Sequence, residues 1–286
     1  MTLRHAFAAM GTEVELLLEA PEGPLAAAAL GAAEAEFHRL ESLLSRFRPE
    51  SELSRLNRDG EIEAGRELMA VAELAVAARI RTGGRFDPTI HDALCAAGYD
   101  RTFGELGLGD APAEPAGPCG GSVMMDHDRR SITLGPGVRI DLGGIAKGFA
   151  ADHVCELLAP VGPALVNAGG DIAATGEWIV RVDTPGEPLS LALHDGALAT
   201  TGRDRRRWTR GGKQHHHVID PSTGRSAESD LLCVTAFAPR AVDAEVIAKA
   251  RFLAGFDRAA GEADDEGTPC LLVADDGRCA LAGGLA

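Results

Sequence analysis

Residues 139–154, RIDLGGIAKGFAADHV, place an acid, two adjacent glycines, a lysine and a second acid around what reads as a strand-to-helix turn. Val138, Ile140 and Leu142 alternate as in a strand, and Gly143 and Gly144 permit a positive φ or a close backbone approach. Ile145, Phe149, His153 and Leu157 then recur at helical spacing. A helix N-terminus presents free N–H groups and the positive end of its dipole, so a phosphate arriving there would meet Lys147 on the first turn. The same layout also builds a plain strand, turn and amphipathic helix. It matches neither G-x-x-x-x-G-K-[ST] nor G-x-G-x-x-G. Asp141, at the end of the strand, could orient Lys147, hold a metal through water, or cap the turn that follows. Asp152 lies five residues beyond Lys147 and reads as a residue near the surface.

Three further segments carry polar residues, glycine or proline where a structural stretch would be apolar: FDPTI (86–90), VNAGGDIAATG (166–176) and HHHVIDPSTGRSA (215–227). The second puts Asn167, Gly169, Gly170 and Asp171 after a buried strand. Consecutive glycines there either aim backbone N–H groups at an anion or close a tight hairpin. Asp220-Pro221-Ser222-Thr223-Gly224 reads as a turn in which Asp220 accepts backbone hydrogen bonds. His217 is the member suited to chemistry, because a neutral imidazole can take a proton from a hydroxyl near pH 7. In a strand, His215 and His217 would share a face.

The elements that must position these residues read as mixed α and β. Thr12 to Leu18 alternates as a strand, Leu25 to Leu44 is an alanine-rich helix, and Glu67 to Thr82 is a helix ended by Gly83 and Gly84. Ser122 to Leu142 reads as two strands turning near Asp126 to Arg130, and Gly144 to Leu158 as a helix. Strands follow at Ala164 to Ala168, Trp178 to Val182, Leu189 to Thr200, Val218 to Ile219 and Leu231 to Ala238. Ala241 to Ala254 is a helix, and Cys270 to Ala274 with Arg278 to Ala282 forms a terminal hairpin. Helices fall between runs of strands rather than alternating with them, which favours α+β over a doubly wound sheet.

The chain has 286 residues and is 45% apolar, enough for one domain or for two lobes with a cleft. No linker stands out beyond the short stretches 109–121 and 261–267. Twenty-eight basic against 43 acidic residues leave a net charge of −15, which argues against a nucleic-acid surface. The local exceptions are Lys147 and the run Arg203, Arg205, Arg206, Arg207, Arg210 and Lys213, which also suits a charged hairpin edge. Six cysteines form no C-x-x-C pair, so buried thiols are expected. The N-terminal stretch has no apolar core of signal-peptide length and no stretch approaches a membrane span, so the sequence as given reads as cytoplasmic.

In fixed order along the chain come MGTEVEL from Met10, SRFRPESELSRLN from Ser45, TGGRFDPTI from Thr82, IDLGGIAKGFAAD, VNAGGDIAATG, ALATTG from Ala197, HHHVIDPSTG and AEVIAKARFLAG from Ala244. In these motifs the chain resembles the FAD:protein FMN transferases, the ApbE family. The resemblance covers residues 1–286 as one domain. It implies an α+β fold of mainly antiparallel sheets with packed helices, in two lobes around a flavin cleft. The activity it implies is binding of FAD and transfer of FMN to a threonine hydroxyl of a target flavoprotein, with release of AMP. A non-catalytic FAD-binding protein and an FAD pyrophosphatase are the alternatives.

Carried over motif by motif, the resemblance implies cofactor contacts at Met10, Phe47, Asp87, Gly144, Lys147, Asn167, Gly169, Gly170, Asp171, Thr201, Gly202 and His217. Phe47 would stack on adenine or pack in the core. Catalytic roles fall to His217, Lys147 and Asp141. Magnesium in this family is held by an aspartate, by a threonine or serine four residues on, and by a carbonyl of the glycine turn. Here those positions are Glu245, Lys249 and Gly144. Lysine cannot ligate a cation. Its ammonium either stands where the metal would be or pairs with Glu245 on a solvated helix face.

Overall fold

The computed structural model describes residues 1–106, 117–184 and 187–285. Strands β1 (Thr2–Ala9) and β2 (Thr12–Glu19) lead into helix α1 (Pro24–Leu44). Next come α2 (Glu52–Asp59), β3 (Glu61–Glu63), α3 (Arg66–Arg81), α4 (His91–Ala96), β4 (Val123–Asp126) and β5 (Ser131–Leu134). Helix α5 (Ala146–Leu158) precedes β6 (Ala164–Ala168), β7 (Asp171–Val182) and β8 (Leu189–Gly202). Short strands follow at β9 (Arg207–Arg210), β10 (Lys213–His216), β11 (Ile219–Asp220) and β12 (Arg225–Ser226). The chain closes with β13 (Leu231–Ala238), α6 (Ala241–Ala254), α7 (Phe256–Glu266), β14 (Cys270–Ala274) and β15 (Cys279–Ala282). The expected α+β class is what forms.

Two compact units emerge, the first from residues 1–41, 146–201 and 230–286, the second from 42–145 and 202–229. The first holds an eight-stranded sheet in the order β1-β2-β6-β7-β8-β13-β14-β15. The alternation read in β2 is real: Val14, Leu16 and Leu18 are wholly buried, each contributing roughly 1.5–3 kcal/mol of burial. Strand β14 is buried at every residue, as a strand covered on both faces must be. Helix α1 buries Ala26, Leu30, Ala33, Phe37, Leu40 and Leu44, a stripe of alternating four- and three-residue steps.

The second unit holds a three-stranded antiparallel sheet ordered β3-β5-β4 and the two hairpins β9–β10 and β11–β12. An aromatic cluster of Tyr99, Trp208 and the partly buried Phe47 and Phe103 forms one core. The Trp208 indole N–H donates to the Ala97 carbonyl at 2.8 Å, which satisfies its one polar atom. The basic run before the histidines does form a hairpin, as its charge pattern allowed.

Several expectations are corrected. Residues 138–142 do not form a strand, because their backbone partners are not another strand. The Asn57 amide takes both the Ile140 N–H and its carbonyl, at 2.8 Å each, and the Asp141 N–H donates to the Pro88 carbonyl. Neither Gly143 nor Gly144 adopts a positive φ. Helix α5 begins at Ala146 and buries Ala146, Ala150, Ala151, Val154, Cys155 and Leu158, whereas Leu157 is 39% exposed. Small residues line that face because α6 lies against it: a Cβ on Gly148 would stand 2.7 Å from the Ala241 carbonyl oxygen. Residues 261–267 are no linker either. They are the end of α7, stopped by Gly267 at φ 60, and Glu262 and Glu266 there bind the buried Arg251 at 2.5 Å each. Stretch 109–121 lies, through residue 116, outside the described residues. Strand β1 and helices α2 and α7 had no counterpart in the sequence reading.

Candidate functional site

In the first unit, helices α5 and α6 exchange carboxylates at their N-termini. Asp152 on α5 accepts the N–H groups of Ala241 (2.6 Å) and Val242 (3.0 Å), the first two residues of α6. Glu245 on α6 returns the contact, its Oε2 accepting the Gly148 N–H at the start of α5 at 3.0 Å. Each acid satisfies N–H groups that a helix start leaves without intrahelical partners and meets the positive end of a dipole. Where the sequence suggested an anion at the start of α5, the Gly148 N–H donates to the chain's own Glu245. Asp152 is a partly buried cap rather than a surface acid.

Around Glu245 the side chains form a four-charge cluster. Lys147 Nζ reaches Asp171 Oδ2 at 2.5 Å and Glu245 Oε1 at 2.7 Å, and Lys249 Nζ reaches the same Glu245 oxygen at 3.1 Å. Asp171 is 3% exposed and Glu245 fully buried, so the ion pair of Glu245 with Lys249 lies on a buried face and not on a solvated one. Burial, with the Glu245 charge beside it, pushes the Asp171 carboxyl up to about 6 against the pull of Lys147 and Lys249. For Glu245 burial also works upward, but Lys147, Lys249 and the Gly148 N–H overcome it and hold the carboxyl well below its usual range. Asp171 is delivered by the β6–β7 hairpin, where Gly169 (φ 68) and Gly170 (φ 101) both take the left-handed conformation a two-residue turn demands. Asn167 braces that turn by accepting the Gly170 N–H at 2.9 Å. Thr12 stands where a Gly169 side chain would need to be. Thr201 is buried at the end of β8, while Met10 opens the β1–β2 turn with a φ of 52.

The remaining candidates lie in the second unit, where Asp87 and Asp141 hold turns. Asp141 pairs with Arg46 Nε at 2.6 Å and accepts the Gly143 N–H at 2.9 Å, so it caps the glycine turn that contains Gly144. Arg46 was missed by sequence reasoning. Its guanidinium lies 4.1 Å above the Phe47 ring and 4.8 Å from that of Tyr99, and it donates to the Tyr99 carbonyl at 2.6 Å. A charge inside the SRF motif, next to an aromatic, was the available signal. Phe47 packs on Tyr99 at 5.6 Å. Asp87 accepts the Thr89 N–H and hydroxyl at 2.8 and 2.7 Å and pairs with Arg79 at 3.0 Å. Asp220 closes its turn on the Ser222 N–H and hydroxyl. Strand β10 ends at His216, and the His217 N–H donates to the Arg206 carbonyl at 3.2 Å. His215 stacks on Trp208, and burial lowers its pKa. Gly202 ends β8, where the chain enters this unit.

The groups around Glu245 do not fit a hard divalent cation. One carboxylate oxygen receives two ammonium groups, the other receives an N–H, and the two acids and two lysines sum to zero charge. Among the described residues no group of three or more His, Cys, Asp and Glu is placed to hold a metal ion. No described helix is long and apolar enough to cross a membrane.

An antiparallel α+β fold with two glycine-rich turns and a buried acid–lysine cluster defines the class of protein. The ApbE family pattern matches residues 10–272, through both units, and the chain belongs to that family. It is 31% identical over 281 residues to the FAD:protein FMN transferase of Treponema pallidum, an alignment covering 86% of this chain and 76% of that protein. Identity to the Haemophilus influenzae protein of the same name is 27% over 264 residues, covering 84% of this chain and 76% of that protein. The crystal structure of the ApbE protein from Thermotoga maritima superposes with a TM-score of 0.87 at 25% identity, over 99% of this chain and 97% of that one.

Proposed function

We propose that this chain binds FAD and transfers its FMN moiety to a threonine hydroxyl of an acceptor flavoprotein, releasing AMP. The observation that carries the reading is the family match across 10–272 together with the buried Lys147 cluster at the start of α5. In the reaction the hydroxyl oxygen attacks the FMN phosphorus, and the bond from that phosphorus to the bridging oxygen breaks. AMP departs with the bridging oxygen, and the hydroxyl proton passes to a base. Such chemistry rests on positioning and on neutralising charge at the phosphoryl oxygens. His217 is the proposed base. Lys147, held by Asp171 and Glu245, is the proposed partner of phosphoryl charge, and Asp141 holds the glycine turn ahead of α5. Asn167, Gly169, Gly170 and Thr201 are proposed flavin contacts, as are Met10, Asp87, Gly144 and Gly202. Magnesium, which the family resemblance implies, is given no step, since the groups around Glu245 do not fit it.

The test is incubation of the purified chain with FAD, with and without a threonine-bearing flavoprotein acceptor, following AMP by chromatography and protein-bound flavin by in-gel fluorescence. AMP release that depends on acceptor, with flavin fixed to it, is expected. AMP without acceptor would mark a pyrophosphatase, and FAD binding without AMP a flavin-binding protein; either result overturns the proposal.

A further inference from the structure

We propose that Lys249 is a resident cation of the Glu245 site, so that this chain neither requires nor admits a divalent metal there. The inference rests on the transferase reading only in its activity arm. Glu245 is fully buried and its two oxygens are met by Lys147 Nζ at 2.7 Å, Lys249 Nζ at 3.1 Å and the Gly148 N–H at 3.0 Å. Asp171, also buried, takes Lys147 at 2.5 Å. Two carboxylates against one lysine would leave a net negative charge in a place shielded from water, and a buried charge must be paired. Lys249 supplies the missing positive charge from the next turn of the same helix, with its side chain 18% exposed. Once it is there, every charge has a counter-charge. A dication would then add two uncompensated charges within a few ångströms of two ammonium groups and a helix N-terminus, all repulsive. Lysine also offers no lone pair while protonated, so it excludes the metal by chemistry as well as by charge. Lys249 acts through Glu245 and is therefore a positioning residue.

The experiment titrates magnesium alone into the full chain by calorimetry, beside Lys249→Thr, Lys249→Met and Lys249→Arg variants, with FMN transfer measured in chelator and in added magnesium. The parent and Lys249→Arg are expected to show no saturable magnesium binding, and to transfer FMN equally in both conditions. Lys249→Thr, which places a neutral oxygen four residues after a carboxylate, is expected to bind magnesium at least about tenfold more tightly than the parent and to depend on it for transfer. Lys249→Met keeps length without charge or hard oxygen, and is expected to lose transfer without becoming magnesium-dependent. Saturable magnesium binding by the parent equal to that of Lys249→Thr overturns the proposal, as does parent activity abolished by chelator and restored by magnesium. If none of the proteins transfers FMN under any condition, the activity reading fails by itself. The calorimetry of parent against Lys249→Thr and Lys249→Arg then still decides the role of Lys249.

Discussion

Acids serve different ends in the two units. In the second, Asp87, Asp141 and Asp220 each accept a backbone N–H two residues ahead, and two of them add an arginine. These carboxylates shape turns, as the sequence pattern says outright for Asp220 and allows for Asp141. In the first unit, Asp152, Asp171 and Glu245 reach across the fold to partners on other elements. The bonds of Asp152 and Glu245 tie α5 to α6, and Lys147 joins Asp171 to Glu245. An acid such as Asp220, whose bonds go to a neighbouring N–H and hydroxyl, can be replaced by any side chain that accepts the same bonds, whereas an acid in a buried charge network takes its partners' charges out of balance when it goes.

That contrast can be broken most directly at Glu245. Glu245→Ala leaves Lys147 and Lys249 without their shared carboxylate and the Gly148 N–H without an acceptor. Urea denaturation should show a loss of about 3–5 kcal/mol. A loss under about 1 kcal/mol would mean that water reaches the cluster and that it is no more than a surface network.

Asp152 gives the next largest effect, and one that depends on pH. Burial pushes its carboxyl up to about 6, although the Val242 and Ala241 N–H groups and the nearby Arg240 pull it down while Asp243 pushes it up. An acid with a folded pKa above its unfolded value of about 4 is destabilising where it is ionised, above pH 6, and that cost is relieved as pH falls from 6 toward 4. Asp152→Asn has no such titration. The variant's unfolding free energy relative to the parent's should therefore fall by roughly 2–3 kcal/mol between pH 7.5 and pH 4, its relative advantage being greatest at the high end. A difference constant with pH would place Asp152 in water.

The smallest change sharpens the other side of the comparison. Asp220→Asn keeps a side-chain oxygen for the Ser222 N–H and hydroxyl, so thermal and urea denaturation should register less than about 1 kcal/mol. A loss matching that of Glu245→Ala would show that Asp220, like Asp87 and Asp141, draws on more than its local turn bonds.

Much was legible in advance because it is local. The period-two pattern of Val14, Leu16 and Leu18, the apolar stripe of α1, the GG turn before Asp171 and the Asp220 turn all follow from residues within a few positions of one another. The order of motifs was enough to place the chain in its family. Reading failed where the partner is distant. Alternation at Val138, Ile140 and Leu142 looked like a strand, but Asn57, 83 residues away, takes the Ile140 bonds. Spacing pointed to Ile145, Phe149, His153 and Leu157; Ile145 is buried just ahead of α5, but within the helix the close approach of α6 selected the alanine and glycine face instead.

By itself, then, the sequence determined which residue types could do chemistry and which short turns would present them, because those depend on backbone preferences and nearest neighbours. It also showed Glu245 and Lys249 one helical turn apart, close enough to pair. Only the tertiary structure decided that this pair is buried, and that Asp171 and Lys147 join it to close a balanced set of charges. That decision could not be read from spacing. The separation of 98 in sequence between Lys147 and Glu245 carries no record of their distance in space, and whether a charge is buried depends on what every other element packs over it.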